Sequence, residues 1–207
     1  MTATNKKKPF LTVRDMTTIA ILAAISAILF MIEIPVVLFY KLDLSSLPVL
    51  LGAFAMGPVQ GLMIQAVKSL LGLFHSTSQG VGELADFIMG AAMLLPAGLV
   101  YLKIKSRKGA IIGMALGTLV ATIAAVLSNL YIMIPFYSVA YHMPVKDIIA
   151  MGQELVPAID SEWKFVLLIT APFNVLKWVV ISVLTALIYK PLSPILHGRK
   201  KARTEAK

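Results

Sequence analysis

One apolar run in this chain is too long for the distance a membrane offers it. Residues 45–75 stay largely apolar over about 31 residues, roughly 46 Å as a single helix, against a bilayer core of about 30 Å. Gly57 and Pro58 stand in its middle. Proline removes a backbone donor and disfavours helix at the residue before it, so the run reads as two helices meeting at that dipeptide. Further apolar runs at 16–31, 84–102, 110–136 and 165–189 follow with no soluble insertion. At 58% hydrophobic and 14% charged, where an ordinary soluble domain has roughly a quarter of its residues charged, the chain reads as a single helical membrane domain.

Charge supports splitting the run by another route. Most of the 19 basic residues lie in three places: the tail with Lys6, Lys7, Lys8 and Arg14, the segment "KIKSRK" at 103–108, and the stretch from Lys190 to Lys207. This is the positive-inside pattern of a membrane protein, so the net charge of +9 does not argue for nucleic-acid binding. Five plain crossings would put the N-terminus and "KIKSRK" on opposite sides; splitting 45–75 puts both, and the C-terminus, inside. The expected fold is an all-α membrane protein with six transmembrane helices and both termini cytoplasmic. Its spans are roughly 16–34, 45–56, 58–75, 83–103, 109–136 and 163–190, and its short second helix is broken from the third at Gly57-Pro58. Residues 1–15 form a cytoplasmic tail, 16–196 the membrane domain and 197–207 a basic cytoplasmic tail. The first run exceeds a signal peptide's apolar region and lacks an A-x-A-like site after it, so it reads as an uncleaved helix. The topology also places Glu33, Asp43, Glu83, Asp86, Asp147, Glu154, Asp160 and Glu162 at or near the outer face. Within 137–162, "MPVKDIIAMGQELV" has the pattern of a short amphipathic surface helix.

Polar residues inside the apolar runs need a reason. Lys177 lies well inside the last helix, where an ionised lysine costs a few kcal/mol, and intramembrane charges mark function by default. Asn174 precedes it by three residues on the same face, and Pro172 bends the helix nearby. The alternative for Lys177 is an ion pair locking helices together. Asn129, in "LSNLYIMIPFY", faces either a ligand or another helix. Asp43 either contacts a ligand or, with Ser45, caps the second helix. Glu83 and Asp86, in "GVGELADF", suit a helix N-terminus as well as a site, and Lys68 reads as a structural partner of one of them. All these segments send their polar groups to one side, with Phe39, Tyr40, Phe87, Tyr131 and Trp178 beside them. Aromatic walls carrying a few directional polar groups describe an outward-facing small-molecule pocket. In the first helix, Ala20 and Ala24, and likewise Ala23 and Ala27, have the small-xxx-small spacing that lets another helix approach.

Several functions have no residues to carry them. The chain has 0 cysteines, no G-x-x-x-x-G-K-[ST] phosphate loop and no H-E-x-x-H motif. An intramembrane enzyme using Glu83, Asp86 and Lys177 lacks a nucleophile–base spacing, and the chain is read as a non-enzyme without metal or cofactor.

The stretches "KLDLSSLP", "GP" at 57–58 with "GLMIQAVKSLLGLF", "GVGELADF", "LSNLYIMIPFY" and "PFNVLKW" together resemble the riboflavin-binding S components (RibU family) of energy-coupling factor (ECF) transporters. The resemblance runs from about Met16 to Leu196. It implies a multi-pass protein of the bacterial cell membrane that captures riboflavin in an outward-facing pocket, FMN being left open as a second ligand. Delivery would follow docking on a transmembrane coupling subunit driven by two cytoplasmic ATP-binding subunits. It implies ligand contacts at Asn129, Asn174 and Lys177, a closing segment around Leu42 and Asp43, and a docking face at Ala20, Ala23, Ala24 and Ala27; Glu83 joins the ligand set from its place at the pocket. The family often has asparagine where Asp86 stands, which favours a salt bridge with Lys68. An S component for another vitamin, of the thiamin or folate class, is the alternative.

Overall fold

The computed structural model describes the backbone of residues 11–197 and the side chains of 11–189; most of the two basic tails lies outside the described residues. Helix α1 (Val13–Phe30) starts at a capping box, in which the Thr12 hydroxyl accepts from the Asp15 backbone and the Asp15 carboxylate accepts from the Thr12 N–H. Strands β1 (Ile34–Val37) and β2 (Tyr40–Leu42) follow, then α2 (Ser46–Met56), α3 (Pro58–Gly72) and a single 3₁₀ turn at Leu73–His75. Helix α4 (Val81–Lys103) leads through a short turn into α5 (Arg107–Ser128). A π-helical turn (Asn129–Met133) joins α5 to α6 (Ile134–Ala140). Helix α7 (Val145–Leu155) lies within the expected surface segment, and α8 (Glu162–Phe165) continues through a second π turn (Val166–Thr170) into α9 (Ala171–His197).

The first departure from expectation is at residues 31–42. The first helix stops at Phe30 rather than 34, and the chain forms an antiparallel hairpin pairing Ile34 with Leu42 and Val37 with Tyr40. Pro35 has no N–H to give to the helix and disfavours helix at Ile34, while Ile32, Ile34, Val36 and Val37 suit extended backbone. The chain is therefore mostly helical with a two-stranded hairpin, not all-α. At the hairpin tip Leu38 takes φ 49°, a left-handed conformation uncommon for leucine.

Gly57, at φ 126°, separates α2 from α3, a conformation glycine adopts at no steric cost. With 11 and 15 residues, these helices are roughly 16 and 22 Å long, each shorter than a bilayer core. Among the described residues, four helical stretches are long and apolar enough to cross a membrane: Val13–Phe30, Val81–Lys103, Arg107–Ala140 and Glu162–Tyr189.

Both π turns have a local cause. Pro135 and Pro172 each lie two residues past one of them, and a proline in a regular helix clashes with the carbonyl four residues back. Opening the preceding turn by one residue accommodates the ring. Elsewhere the bundle is tight. A Cβ on Gly113 would lie 2.6 Å from the Ala97 carbonyl oxygen, and one on Gly117 2.5 Å from that of Met93, so α4 and α5 meet backbone to backbone. One apolar core, around Leu50, Ile64, Met93 and Ile181, joins α1 to α5 and α9; a second, around Tyr40, Ile148, Phe165 and Phe173, joins the hairpin to α6–α9.

Candidate functional site

A cavity of about 410 Å³ opens between these two cores. That volume is ordinary for a small-molecule site. The hairpin supplies Phe39, Tyr40 and Lys41, and α4 supplies Glu83, Asp86 and Met89. Asn129 and Met133 come from the first π turn, Tyr137 from α6, Ile148 and Met151 from α7, and Phe173, Asn174, Lys177 and Trp178 from α9. The end of α1 (Phe30), the turn at Thr77 and Ser78, and Tyr141 complete the wall, so these segments share one end of the bundle.

Each asparagine is oriented by the helix that carries it. Asn129 Nδ2 donates to the Ala125 carbonyl at 2.8 Å and its Oδ1 accepts from the Tyr40 hydroxyl at 3.0 Å. Asn174 Nδ2 donates to the Thr170 carbonyl at 2.9 Å, leaving its Oδ1 buried with no hydrogen bond. Trp178 Nε1 and Asp86 Oδ1 are likewise buried and unpaired. Buried polar groups are hydrogen-bonded as a rule, so three orphans on residues that line one cavity stand out. Tyr40 also shares a short hydrogen bond with the Thr170 hydroxyl, tying the hairpin to α9. Burial raises the Tyr40 phenol above its ordinary pKa, only partly offset by that bond, so it stays neutral.

Charges form one connected system. Lys177 Nζ lies 2.9 Å from Asp43 Oδ2, the two side chains being 12% and 4% exposed. The other Asp43 oxygen accepts from the backbone N–H and the hydroxyl of Ser45. The Ser45 hydroxyl accepts from Lys68 at 2.9 Å, and Lys68 pairs with Asp86 at 2.7 Å. Lys68 is fully buried, with Nζ 5.1 Å from the Phe30 ring centre. Gln65 donates to the Asp86 carboxylate at 2.8 Å, and Ser26 on α1 donates to the Ser45 carbonyl at 2.8 Å. Burial alone pushes the Asp43 carboxyl up, but Lys177 and then Lys68 more than reverse this, holding it below the ordinary carboxylate range.

Of the residues singled out in the sequence, Asp43, Glu83, Asn129, Asn174 and Lys177 all line this cavity; Leu42 does not, lying instead in the hairpin ladder opposite Ile34. Lys177 is ion-paired to Asp43, and it also faces the cavity. Asp86 pairs with Lys68 and lines the wall as well. Two expected aromatics drop out. Tyr131 is 66% exposed on the outer surface of its turn, and Phe87 is half-buried away from the cavity. The alanine set on α1 also divides. Ala20 and Ala24 are exposed, Ala27 is half-buried, and Ala23 is 0% exposed in the core, because a step from 23 to 24 turns the helix by about 100°. Ala23 therefore cannot belong to an outward docking face. Sequence reading missed Phe30, Tyr137, Tyr141, Phe173 and four methionines (Met89, Met133, Met143 and Met151) in the wall. Phe173 had a signal in its adjacency to Asn174. The methionines had none, since thioethers also fill ordinary cores.

Three comparisons bear on this geometry. The family model for the ECF transporter substrate-specific component matches residues 14–189. The chain is 32% identical over 191 residues to the riboflavin transporter RibU of Staphylococcus aureus (strain TCH60), covering 88% of this chain and 92% of that protein. It is 27% identical over 196 residues to the riboflavin transporter FmnP of Bacillus subtilis (strain 168), covering 92% and 97%. Among solved structures, the S component of a bacterial ECF transporter aligns with a TM-score of 0.68 at 31% identity, over 88% of this chain and 97% of that one.

Proposed function

This chain belongs to the ECF transporter substrate-specific component family, a family of integral membrane proteins, and on that premise we propose that it captures riboflavin for import. One observation carries the reading. An aromatic cavity of about 410 Å³ presents Asn129, Asn174 and Lys177 together, with Asn174 Oδ1 and Trp178 Nε1 lacking protein partners. A flavin ring is flat and apolar on its faces, with amide-like donors and acceptors along one edge. Tyr40, Tyr137, Phe173 and Trp178 suit the faces, and the two asparagines and Lys177 suit the edge. Glu83, near the serine-rich turn before α4, suits the hydroxyls of the ribityl tail. Asp43 holds Lys177 in place from just past the hairpin, and Leu42 acts through the strand that leads into Asp43.

The chain crosses the membrane six times in this reading, α2 and α3 making two short passes and both termini lying in the cytoplasm. The cavity then opens outward. Loaded protein docks through the Ala20 and Ala24 face of α1 on a transmembrane coupling subunit powered by two ATPases. Purified full-length chain titrated with riboflavin should quench flavin fluorescence and retain flavin absorption bands through gel filtration. A colourless preparation that leaves added riboflavin fluorescence unchanged would sink the reading.

A further inference from the structure

The carboxylates around the cavity are not equivalent. Glu33 pairs with Lys41, Asp43 with Lys177 at 2.9 Å, and Asp86 with Lys68 at 2.7 Å. Glu83 differs. Its Oε2 accepts from the Ser76 and Ser78 hydroxyls at 2.8 and 3.2 Å, and among the described residues no cation forms a salt bridge with it. The three pairs leave the wall neutral, and Glu83 adds one uncompensated negative charge.

Its neighbourhood removes the feature that would otherwise attract an anion. A helix start offers free N–H groups and the positive end of the helix dipole, a natural phosphate seat. Here the Gly80 N–H donates to Ser76 Oγ at 2.9 Å and the Gly82 N–H to Ser78 Oγ at 2.8 Å. Those same two hydroxyls donate hydrogen bonds to Glu83. The start of α4 therefore meets the cavity as a serine-clasped carboxylate, an acceptor for hydroxyl groups and a repeller of phosphate.

We infer that Glu83 is a specificity-determining residue of this pocket, accepting the hydroxyls of a neutral polyol tail and rejecting flavins that end in a phosphate. The inference rests on the flavin reading above and adds the charge class of the ligand. A terminal phosphate carries roughly −1.5 to −2 charge at neutral pH. Within a cavity of this size it would sit on the order of 10 Å or less from Glu83, with fewer screening waters than in bulk solvent. Charges so placed change affinity by about ten-fold or more.

The test uses the purified full-length chain and three ligands read by flavin fluorescence: riboflavin, FMN and a riboflavin 5′-methyl ether, which extends the tail without charge. The native chain should bind riboflavin and the ether within a few-fold of each other and FMN at least about ten-fold more weakly. Glu83→Gln keeps the shape and an acceptor oxygen, and should narrow the FMN-to-riboflavin ratio by about ten-fold. Two results overturn the inference while leaving the flavin reading standing. One is native protein that rejects the ether as strongly as FMN, since exclusion would then be steric. The other is a Glu83→Gln protein that binds riboflavin with an unchanged ratio. Should the variant not fold, the ether comparison on native protein still decides. Native protein that binds none of the three overturns the flavin reading and this inference together.

Discussion

Lys177→Met removes the cation from the Lys177–Asp43 pair while keeping most of its side-chain volume. At 2.9 Å and an effective dielectric constant of about 20, the pair's gross attraction is about 5 to 6 kcal/mol. Desolvating both groups offsets most of this. What remains on deletion is the cost of leaving one buried charge behind, typically about 3–5 kcal/mol. Asp43 keeps two bonds from Ser45 and the field of Lys68, so a loss of stability at or just below that range, about 2–3 kcal/mol, is expected. Asp43→Asn leaves Lys177 unpaired and should cost a similar amount. In the double variant neither charge remains, and most of the loss should return, giving a coupling energy of at least about 1.5 kcal/mol. Thermal unfolding of the four ligand-free proteins in detergent measures this. Riboflavin titration of the same proteins separates the two roles of Lys177. If the lysine also meets the flavin edge, the double variant regains stability but stays about 1–3 kcal/mol weaker in binding. A single variant with an unchanged unfolding temperature, or a coupling energy near zero, would refute the account of the pair.

Asn174→Ala should weaken riboflavin binding by about 1–3 kcal/mol and cost the ligand-free protein about 1 kcal/mol, the latter for the lost bond from its Nδ2 to the Thr170 carbonyl; titration and calorimetry check the two together. Ala20→Leu with Ala24→Leu should leave flavin binding intact and abolish riboflavin uptake by cells carrying the coupling module, whereas Ala23→Leu should instead destabilise the fold through overpacking. The Asp43 carboxyl titrates below its ordinary value of 3.8 in the folded protein. Its contribution to stability is thus fully present above about pH 4 and lost as pH falls through the lower folded value, so the acid limb of unfolding temperature against pH should flatten in Asp43→Asn.

How far the chain can be read from its residues depends on the feature. Apolar runs and breakers are local and strong, so the helices and the polar positions Asp43, Glu83, Asn129, Asn174 and Lys177 could be picked out. Their shared wall follows because one topology sends their ends to one side. The hairpin is obscured because residues 31–42 are about as apolar as the helix before them, with Pro35 as the local breaker. The π turns do not show in the apolar pattern, since one extra residue barely disturbs an apolar stretch that lipid surrounds; Pro135 and Pro172 are their local trace. Ala23 shows a further limit: the spacing of small residues marks a stripe, but only packing tells which stripe faces inward. The partner of Lys177, 134 residues away in sequence, belongs to tertiary structure alone.

The π turn at Asn129–Met133 has a consequence for the ring-bearing roof of the cavity. Helix α5 is fixed against α4 by backbone contact at Gly113 and Gly117, so its rotational phase cannot drift. Everything beyond the turn inherits that phase plus one residue, about 100° of rotation. Tyr137 and Tyr141 reach the cavity because of this offset. Removing one residue from 130–132, none of which lines the cavity, would shift this register and swing both rings off the site while leaving Asn129 in place. Part of the pocket's shape is thus written as a residue count rather than as residue identity.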